Sequence, residues 1–139
     1  MTILTDTNVL LDVLLKRAPH FASSYEVLHR ATAQGADLLT TAASVTDIYY
    51  VLRKSGVPDP EIRTGLRNLL TVVRPADVRA EDVRAALDSP LADFEDALAA
   101  EVARRLKCDA IVTRNAADFE GSHVKVLTPD GFLKAFPAA

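Results

Sequence analysis

The sequence predicts an α/β protein, a three-layer α/β/α sandwich around a central, mostly parallel sheet. Short apolar or β-branched segments alternate with longer helical segments, and strands that are joined by helices run parallel to one another. The predicted strands are residues 2–5, 37–41, 71–73, 110–113 and 124–127. No internal repeat, low-complexity tract or long linker interrupts this alternation. A chain of 139 residues can bury one core, so we expect a single domain over residues 1–139.

The helical segments are recognised by their apolar spacing and their boundary residues. In residues 44–55 apolar side chains recur at i, i+3, i+4 and i+7, and in residues 94–107 they recur at every fourth position. Asn8 or Thr7 is the expected cap of a first helix over 9–15. The remaining predicted helices are residues 21–34, 59–70, 79–87 and 129–136. We expect these helices to cover both faces of the sheet.

The composition excludes several classes of protein. A net charge of -3 argues against binding to nucleic acid through bulk positive charge alone. The single cysteine, Cys108, excludes an intrachain disulfide, and no histidine stands at zinc-ligand spacing from it. No apolar run is long enough to span a bilayer, and the first residues lack the basic and apolar regions of a signal peptide. We therefore expect a cytoplasmic protein with no membrane partner.

Two aspartates stand where a predicted strand ends or a predicted helix begins. Asp6 follows the first strand, and Asp47 lies near the start of the helix over 44–55. Either residue is a candidate metal ligand. Asp6 also fits a capping turn between strand and helix, and Asp47, three residues after Ser44, resembles the last residue of a capping box. The sequence leaves both interpretations open.

Two more aspartates lie at the start of the helix over 94–107. Asp93 and Asp96 share one helical face with Ala100 and Ala103, and carboxylates followed by alanines are unusual on a solvated face. These acids are therefore candidate metal ligands. The alternative is that Asp93 caps the helix and Asp96 favours its positive end.

The segment after the strand over 110–113 carries Asn115 and Asp118. Ligands of parallel α/β folds bind beyond the carboxyl ends of the strands, which would place these side chains and Asp6 at one edge. Carboxylates crowded at one place raise each other's pKa, and a divalent cation relieves the repulsion. Mg²⁺ or Mn²⁺ prefers oxygen ligands and, with water positions left open, supports phosphodiester hydrolysis. The alternative for this segment is a polar loop that a phenylalanine anchors.

Four segments occur in one order over nearly the whole chain. They are TDTNVLLDVL at 5–14, SVTDIYYVLRK at 44–54, DFEDALAAEVA at 93–103 and IVTRNAADF at 111–119. Together they resemble the PIN domain, the nuclease domain of VapC-type toxins in bacterial toxin–antitoxin pairs. By this resemblance Asp6, Asp47 and Asp96 match the family's first three metal-binding acids, although the second is more often Glu. Asn115 stands at the fourth position, which is often Asp, and Asp118 is placed to supply the missing charge directly or through water.

The resemblance also implies roles for three neighbouring residues. Asp93 is an extra acid found in the branch with DFEDA, and Thr113 helps to shape the site. Arg114 lies beside the acids and is a candidate contact for an RNA phosphate. The resemblance further implies a metal-dependent ribonuclease with an RNA substrate, Mg²⁺ or Mn²⁺ as cofactor, a homodimer and an antitoxin protein that blocks the site.

Other classes of protein fit these residues less well. A haloacid-dehalogenase-type phosphotransferase needs a second Asp two residues after the first, and Asn8 stands there. A signalling receiver domain needs an acid after a middle strand, where the sequence continues with Arg74 and Pro75. The alternative that stays open is a catalytically weak PIN-like module that binds RNA or a protein, because Asn115 puts a neutral amide in place of a charged ligand.

Overall fold

The computed structural model describes residues 1–138, and over that range a five-stranded sheet lies between helices. The strands are β1 Thr2–Thr5, β2 Asp37–Thr41, β3 Arg74–Ala76, β4 Ala110–Val112 and β5 Val126–Leu127. They lie in the order β3-β2-β1-β4-β5, and every pairing is parallel. The α-helices are α1 Thr7–Leu14, α2 Phe21–Ala33, α3 Ala42–Lys54, α4 Asp59–Leu69, α5 Ala80–Leu87, α6 Phe94–Arg105 and α7 Pro129–Ala135. The predicted α/β class with a central, parallel sheet is confirmed.

Two hydrophobic cores, one on each face of the sheet, hold the three layers together. Successive side chains of a strand point to opposite faces. In β1, Ile3 therefore enters one core and Leu4 the other, and in β2 Leu38 and Leu39 do the same. Helices α1, α2, α3, α4 and α7 supply the first core, whereas α5 and α6 supply the second. Burial on both faces explains why the strands are short apolar runs rather than alternating sequences. Over residues 1–138, no helix has the length and apolar character needed to cross a membrane.

The strand order places a topological switch point between β1 and β4. From β1 the chain crosses to β2 and β3 on one side, and it then returns to form β4 and β5 on the other side. Thr5 pairs with Val112, so the carboxyl ends of β1 and β4 lie side by side. In parallel α/β folds the crevice at such a point is where ligands bind. The residues that follow these two strands, Asp6 and Thr113, stand at that edge.

Helices α1 and α3 each begin two residues before the start that the sequence predicts. Asp6 itself, rather than either of the next two residues, caps α1. In α3 the cap is Thr41, and its side chain accepts a hydrogen bond from the Ser44 amide. Helix α3 therefore begins two residues before the predicted start, and Asp47 lies in its second turn. The capping-box interpretation of Asp47 is wrong, because Thr41 and not Ser44 caps the helix. Thr41 is also the last residue of the buried strand β2, so the sequence pattern did not mark it as the start of a helix.

Strand β3 lies three residues later than predicted. The β-branched residues 71–73 predicted a strand, but the strand is Arg74–Ala76 and contains Pro75. Because β3 is an edge strand, it tolerates the missing N–H group of proline. Val73 packs into the first core instead. Strand β5 is also shorter than the predicted 124–127.

An ion pair between Asp82 of α5 and Arg105 of α6 links these two helices. Asp82 is 3% exposed and accepts hydrogen bonds from Arg105 Nε at 3.0 Å and Arg105 Nη2 at 2.9 Å. It also accepts one from the Arg79 amide at 2.8 Å. Burial raises the pKa of Asp82, but the hydrogen bonds from Arg105 and Arg79 outweigh burial and hold the pKa below its ordinary value of 3.8. The ionised pair therefore stabilises the folded state at neutral pH.

Replacing Asp82 by Asn is expected to lower the free energy of unfolding at pH 7 by about 3 kcal/mol, because Arg105, whose side chain is 15% exposed, loses its carboxylate partner. The difference from the wild type should shrink as the pH falls through the lowered pKa, because the wild-type carboxyl group is then protonated too. Urea unfolding from neutral to acidic pH measures both effects. Asp88→Asn, at the exposed end of α5, is the matched control. Equal stability of the two variants at pH 7 would contradict the role of the ion pair.

Candidate active site

Asp6 lies at the end of β1 and is fixed there from three directions. Its backbone amide donates to the last carbonyl of β4 at 2.9 Å. One carboxylate oxygen accepts a hydrogen bond from the Thr7 amide at 2.8 Å, and the other accepts one from Thr113 Oγ1 at 2.7 Å. Burial raises the pKa of Asp6, the two hydrogen bonds lower it, and the charges of Asp93 and Asp118 raise it again, with a net rise. Asp6 is thus both a helix cap and a half-buried carboxylate among other acids.

Thr113 joins the segments that follow β1 and β4. It is fully buried, and its hydroxyl donates to Asp6. The same hydroxyl accepts hydrogen bonds from Asn8 Nδ2 at 3.4 Å and from the Asn115 amide at 3.1 Å. The side-chain oxygen of Asn8 in turn accepts one from the Arg114 amide at 3.3 Å. These side-chain bonds limit the positions that the Asp6 carboxylate can take.

Helix α6 brings two further acids to Asp6. Asp93 caps α6 and accepts a hydrogen bond from the Asp96 amide at 2.9 Å. Burial raises the pKa of Asp96 to about 7, and the charges of Asp6, Asp93 and Asp118 contribute to the rise. These four carboxylates, here called the acidic cluster, are close enough for their charges to act on one another. Asp93 therefore caps the helix, as one interpretation of the sequence expected, and it also lies among the acids that are candidate metal ligands.

Asp47 reaches the acidic cluster through Glu95, a residue that the sequence analysis did not select. Partial desolvation raises the pKa of the exposed Glu95 to about 7, and the charge of Asp47 and a hydrogen bond between the two carboxyl groups also raise it. The charges of Asp6 and Asp93 add smaller contributions. The sequence feature that could have identified Glu95 is the density of acids, since residues 93, 95 and 96 are all acidic. Glu95 was missed because it lies about 100° around the helix from the face of its neighbour Asp96.

Asn115 and Asp118 lie in the segment after β4. Asn115 precedes a 3-10 helix, Ala116–Phe119, and its carbonyl accepts a hydrogen bond from the Asp118 amide at 3.0 Å. Phe119 is buried in the second core and anchors the segment, as the alternative interpretation of the sequence expected. The charge of Asp118 acts on two other members of the acidic cluster. Asp118 therefore adds negative charge to the site, whereas Asn115 adds a neutral amide.

The donor chemistry of the acidic cluster fits a hard divalent cation. The cluster offers carboxylate oxygens. Partial burial and, after it, repulsion between these acids raise the pKa of Asp6 and Asp96, and a cation would offset the repulsion. Within residues 1–138, no group of three or more Asp, Glu, His or Cys side chains is already placed to hold a metal ion. Mg²⁺ does not need one, because proteins usually bind it through one or two carboxylates while several waters stay attached.

Arg114, the predicted RNA contact, makes an ion pair with a residue of another element. Its Nε lies 2.7 Å from Oδ2 of Asp12, a residue of α1 that is fully buried. Contact between Arg114 and RNA stays a prediction.

The fold and the acidic cluster define a class of protein, a parallel α/β/α domain with an oxygen-ligand site at the switch point of its sheet. The PIN domain family model matches residues 2–117. The chain belongs to the PIN domain family, which confirms the resemblance seen in the four sequence segments.

Individual relatives are distant but cover most of the chain. The ribonuclease VapC1 of Aquifex aeolicus (strain VF5) is 24% identical over 137 residues, which are 95% of this chain and 93% of that protein. The solved structure of VapBC2 from Rickettsia felis, bound to a DNA fragment from their promoter, matches with a TM-score of 0.75 at 17% identity and covers 92% of this chain and 98% of that one. A toxin–antitoxin complex from Klebsiella pneumoniae matches with a TM-score of 0.69 at 19% identity and covers 91% and 97%. At these identities the solved structures show a shared fold.

Proposed function

We propose that this chain is a metal-dependent endoribonuclease, a hydrolase of RNA phosphodiester bonds, and the toxin of a toxin–antitoxin pair. The observation that carries the proposal is the acidic cluster at the switch point, where burial and like charges raise the pKa of Asp96 to about 7. A PIN domain with such a cluster suits hydrolysis at a bound cation. The Aquifex aeolicus relative is a ribonuclease, which supports RNA as the substrate. An RNA substrate also agrees with the cytoplasmic location that we expect from the sequence.

The acidic cluster would hold Mg²⁺ or Mn²⁺. Asp6 and Asp96 are the proposed direct ligands, and Asp47, Asp93 and Asp118 are further ligands, direct or through water. A bound cation of this kind lowers the pKa of water and offsets charge on the phosphate and on the leaving oxygen.

The remaining residues of the site position these ligands. Each carboxylate oxygen of Asp6 already accepts one hydrogen bond, and a second lone pair on each oxygen is left for a cation. Thr113 holds one of those oxygens in place, and the Asp93 cap holds the backbone of Asp96. The side chain of Asn115 adds a hydrogen-bond donor for substrate without adding negative charge.

An apolar groove between α1, α2 and α4 is the proposed contact for the antitoxin. The groove has a volume of about 700 Å³. Its apolar lining includes Val13, Leu14, Leu28, Leu69 and Val72, and Tyr25 and His29 lie among them. A groove of this kind accepts the apolar face of an amphipathic helix. The Klebsiella pneumoniae structure is a toxin–antitoxin complex, which supports a protein partner of this type.

We propose that the chain forms a homodimer through exposed apolar side chains that lie outside this groove. Val83 and Leu87 lie one helical turn apart on α5, and 70% of Leu87 is exposed. Tyr50 on α3 and Phe94 on α6 are also exposed. Apolar side chains that are exposed together mark protein contacts when they form a continuous patch. Sedimentation of the purified protein tests this proposal.

A second candidate function is a PIN-like module that binds RNA or a protein partner with weak or no cleavage. The neutral amide of Asn115 at the fourth family position favours it, because a missing charge weakens the hold on a second cation.

Cleavage of a mixed RNA pool by the purified protein distinguishes the two functions. We expect cleavage with Mn²⁺ or Mg²⁺ and none with EDTA, because the carboxylates supply no nucleophile of their own without the cation. Thermal denaturation in the same buffers reports cation binding separately, since a ligand of the folded state raises the melting temperature. A folded protein that binds Mn²⁺ but leaves the RNA pool intact would favour the second function. Cleavage that persists in EDTA would contradict metal dependence.

A further inference from the structure

A polar cleft beside the acidic cluster has no role in the site described so far. Its volume is about 370 Å³, within the range of ~300–1,000 Å³ that is usual for small-ligand sites. Its polar lining consists of His20, Ser23, Arg114, Asn115, Thr128 and Asp130. Arg114 and Asn115 directly follow Thr113, which donates a hydrogen bond to Asp6. The cleft therefore adjoins the proposed cleavage site.

Two arginines share one carboxylate next to this cleft. Arg17 Nε lies 3.2 Å from Asp12 Oδ1, and Arg114 Nε lies 2.7 Å from Asp12 Oδ2. Asp12 is fully buried and also accepts a hydrogen bond from Ser24 Oγ at 3.2 Å. One negative charge thus faces two positive charges. The remaining positive charge is available to an anionic ligand.

Both arginines are accessible from solvent, although their shared partner is not. The side chains of Arg17 and Arg114 are 38% and 25% exposed, whereas that of Asp12 is 0% exposed. The Arg114 Nε atom is buried against Asp12, so a ligand can be met only by the two terminal Nη groups of this guanidinium, which donate no hydrogen bond within residues 1–138. The Asp130 carboxylate opposes an anion in the cleft, but it is exposed in the first turn of α7, where salt and water screen its charge.

We propose that this cleft binds a phosphate and its nucleotide next to the cleavage position of an RNA chain, with Arg114 as the phosphate contact and Asp12 as its positioning residue. Arg17 lies outside the lining of the cleft and contributes positive charge through the carboxylate that it shares with Arg114. This inference rests on the proposed ribonuclease function. Asp12 lies on α1 and holds one arginine from the loop after α1 and one from the segment after β4. Arginines fixed in this way lose less side-chain freedom when RNA binds. Contacts of this kind place the strand in the site without reading its bases.

Binding of a labelled RNA measures the contribution of Arg114. The probe is a fluorescent single-stranded RNA of mixed sequence, and fluorescence anisotropy is recorded in EDTA at several salt concentrations. The Asp96→Asn background prevents cleavage during the measurement. In that background Arg114→Gln is expected to weaken binding about tenfold, because a charged hydrogen bond to phosphate is lost. The slope of log K against log salt is expected to fall by about 0.7, the value for one phosphate contact on a single strand.

Arg104→Gln is the matched control for this experiment. Arg104 is exposed in the last turn of α6, about 12 Å along the helix axis from Asp96. Arg17→Gln is expected to weaken binding less than Arg114→Gln does, because Arg17 does not line the cleft. Arg114→Lys is expected to restore most of the salt slope because it keeps the charge. The inference is overturned if Arg114→Gln matches Arg104→Gln in affinity and salt slope, or if the Asp96→Asn protein binds no RNA. If the Arg114 and Arg17 variants behave as expected but the wild type cleaves no RNA, the result supports RNA binding in the cleft and contradicts the proposed ribonuclease function.

The Asp12→Asn variant distinguishes the positioning of the arginines by Asp12 from the effect of net charge on RNA binding. The variant raises the net positive charge beside the cleft by one, so bulk electrostatics alone would tighten RNA binding. Loss of positioning is expected to weaken binding several-fold despite that added charge. Circular dichroism and the melting temperature identify the fraction that is folded. Tighter binding by folded Asp12→Asn protein would overturn the positioning role.

Discussion

Replacing Asp6 or Asp96 by Asn is expected to abolish RNA cleavage and to leave the fold intact. Removal of a residue that only supports a metal ligand costs about ten- to a hundredfold in activity, and loss of a direct ligand is expected to exceed that range. Asparagine keeps the size of the side chain. At position 6 it also keeps an acceptor for the Thr7 amide, so the cap of α1 is retained.

The Asp96→Asn exchange is also expected to raise the melting temperature of the metal-free protein at neutral pH. Burial and like charges raise the pKa of Asp96 from 3.8 to about 7. A carboxyl group with a raised pKa binds protons more tightly in the folded than in the unfolded state, so stability falls as the pH rises from 3.8 towards 7. Asparagine removes that cost. The advantage of the variant over the wild type should therefore grow across this pH range.

Cleavage assays and thermal denaturation, each with EDTA and with Mn²⁺, measure these effects. Mn²⁺ is expected to raise the melting temperature of the wild type more than that of Asp96→Asn, because the variant has lost a ligand. Asp88→Asn, which removes an exposed carboxylate at the end of α5, is the control for both measurements. Full activity of the Asp6 or Asp96 variant would refute the assignment of the site. A lower melting temperature of Asp96→Asn in EDTA would refute the electrostatic explanation.

Thr113→Val is expected to reduce RNA cleavage ten- to a hundredfold, the usual cost of removing a residue that orients a ligand. Valine keeps the shape of threonine but has no hydroxyl. Asp6 therefore loses the hydrogen bond of 2.7 Å, and Asn8 and the Asn115 amide lose their shared acceptor. Because Thr113 is fully buried, these unpaired groups are also expected to lower the free energy of unfolding by about 1–3 kcal/mol.

Thr113→Ser tests whether the hydroxyl carries this effect. Serine keeps the hydroxyl and loses one methyl group, so we expect it to retain most of the activity. The measurement is kcat/KM for RNA cleavage at saturating Mn²⁺, together with urea unfolding of each variant. If the valine and serine variants cleave RNA equally well, then Thr113 contributes packing alone and does not position Asp6.

The sequence by itself determined the fold class and the four members of the acidic cluster. Strands buried on both faces of a parallel sheet are short apolar runs, and this local signal was enough to predict the α/β/α layers. The acids were predicted from their places after strands and at helix starts, because the carboxyl ends of parallel strands meet at one edge. The four members of the cluster were all among the predicted site residues. Acids at the ends of strands and the starts of helices can be assigned to the site without knowledge of how the helices pack.

Only the tertiary structure decided which distant side chains meet. Glu95 entered the site because α6 packs it against Asp47 of another helix, and neither local spacing nor helical periodicity records such a contact. Asp12 looked like one more polar residue of the first helix, yet the fold makes it the buried partner of Arg17 and Arg114. Strand β3 was misplaced for the same reason, since its edge position tolerates a proline that local propensity disfavours. A sequence shows which residues carry charge or form strands, but packing decides which charges come close together and how far each is shielded from water. Proximity and shielding shift a pKa and position an arginine.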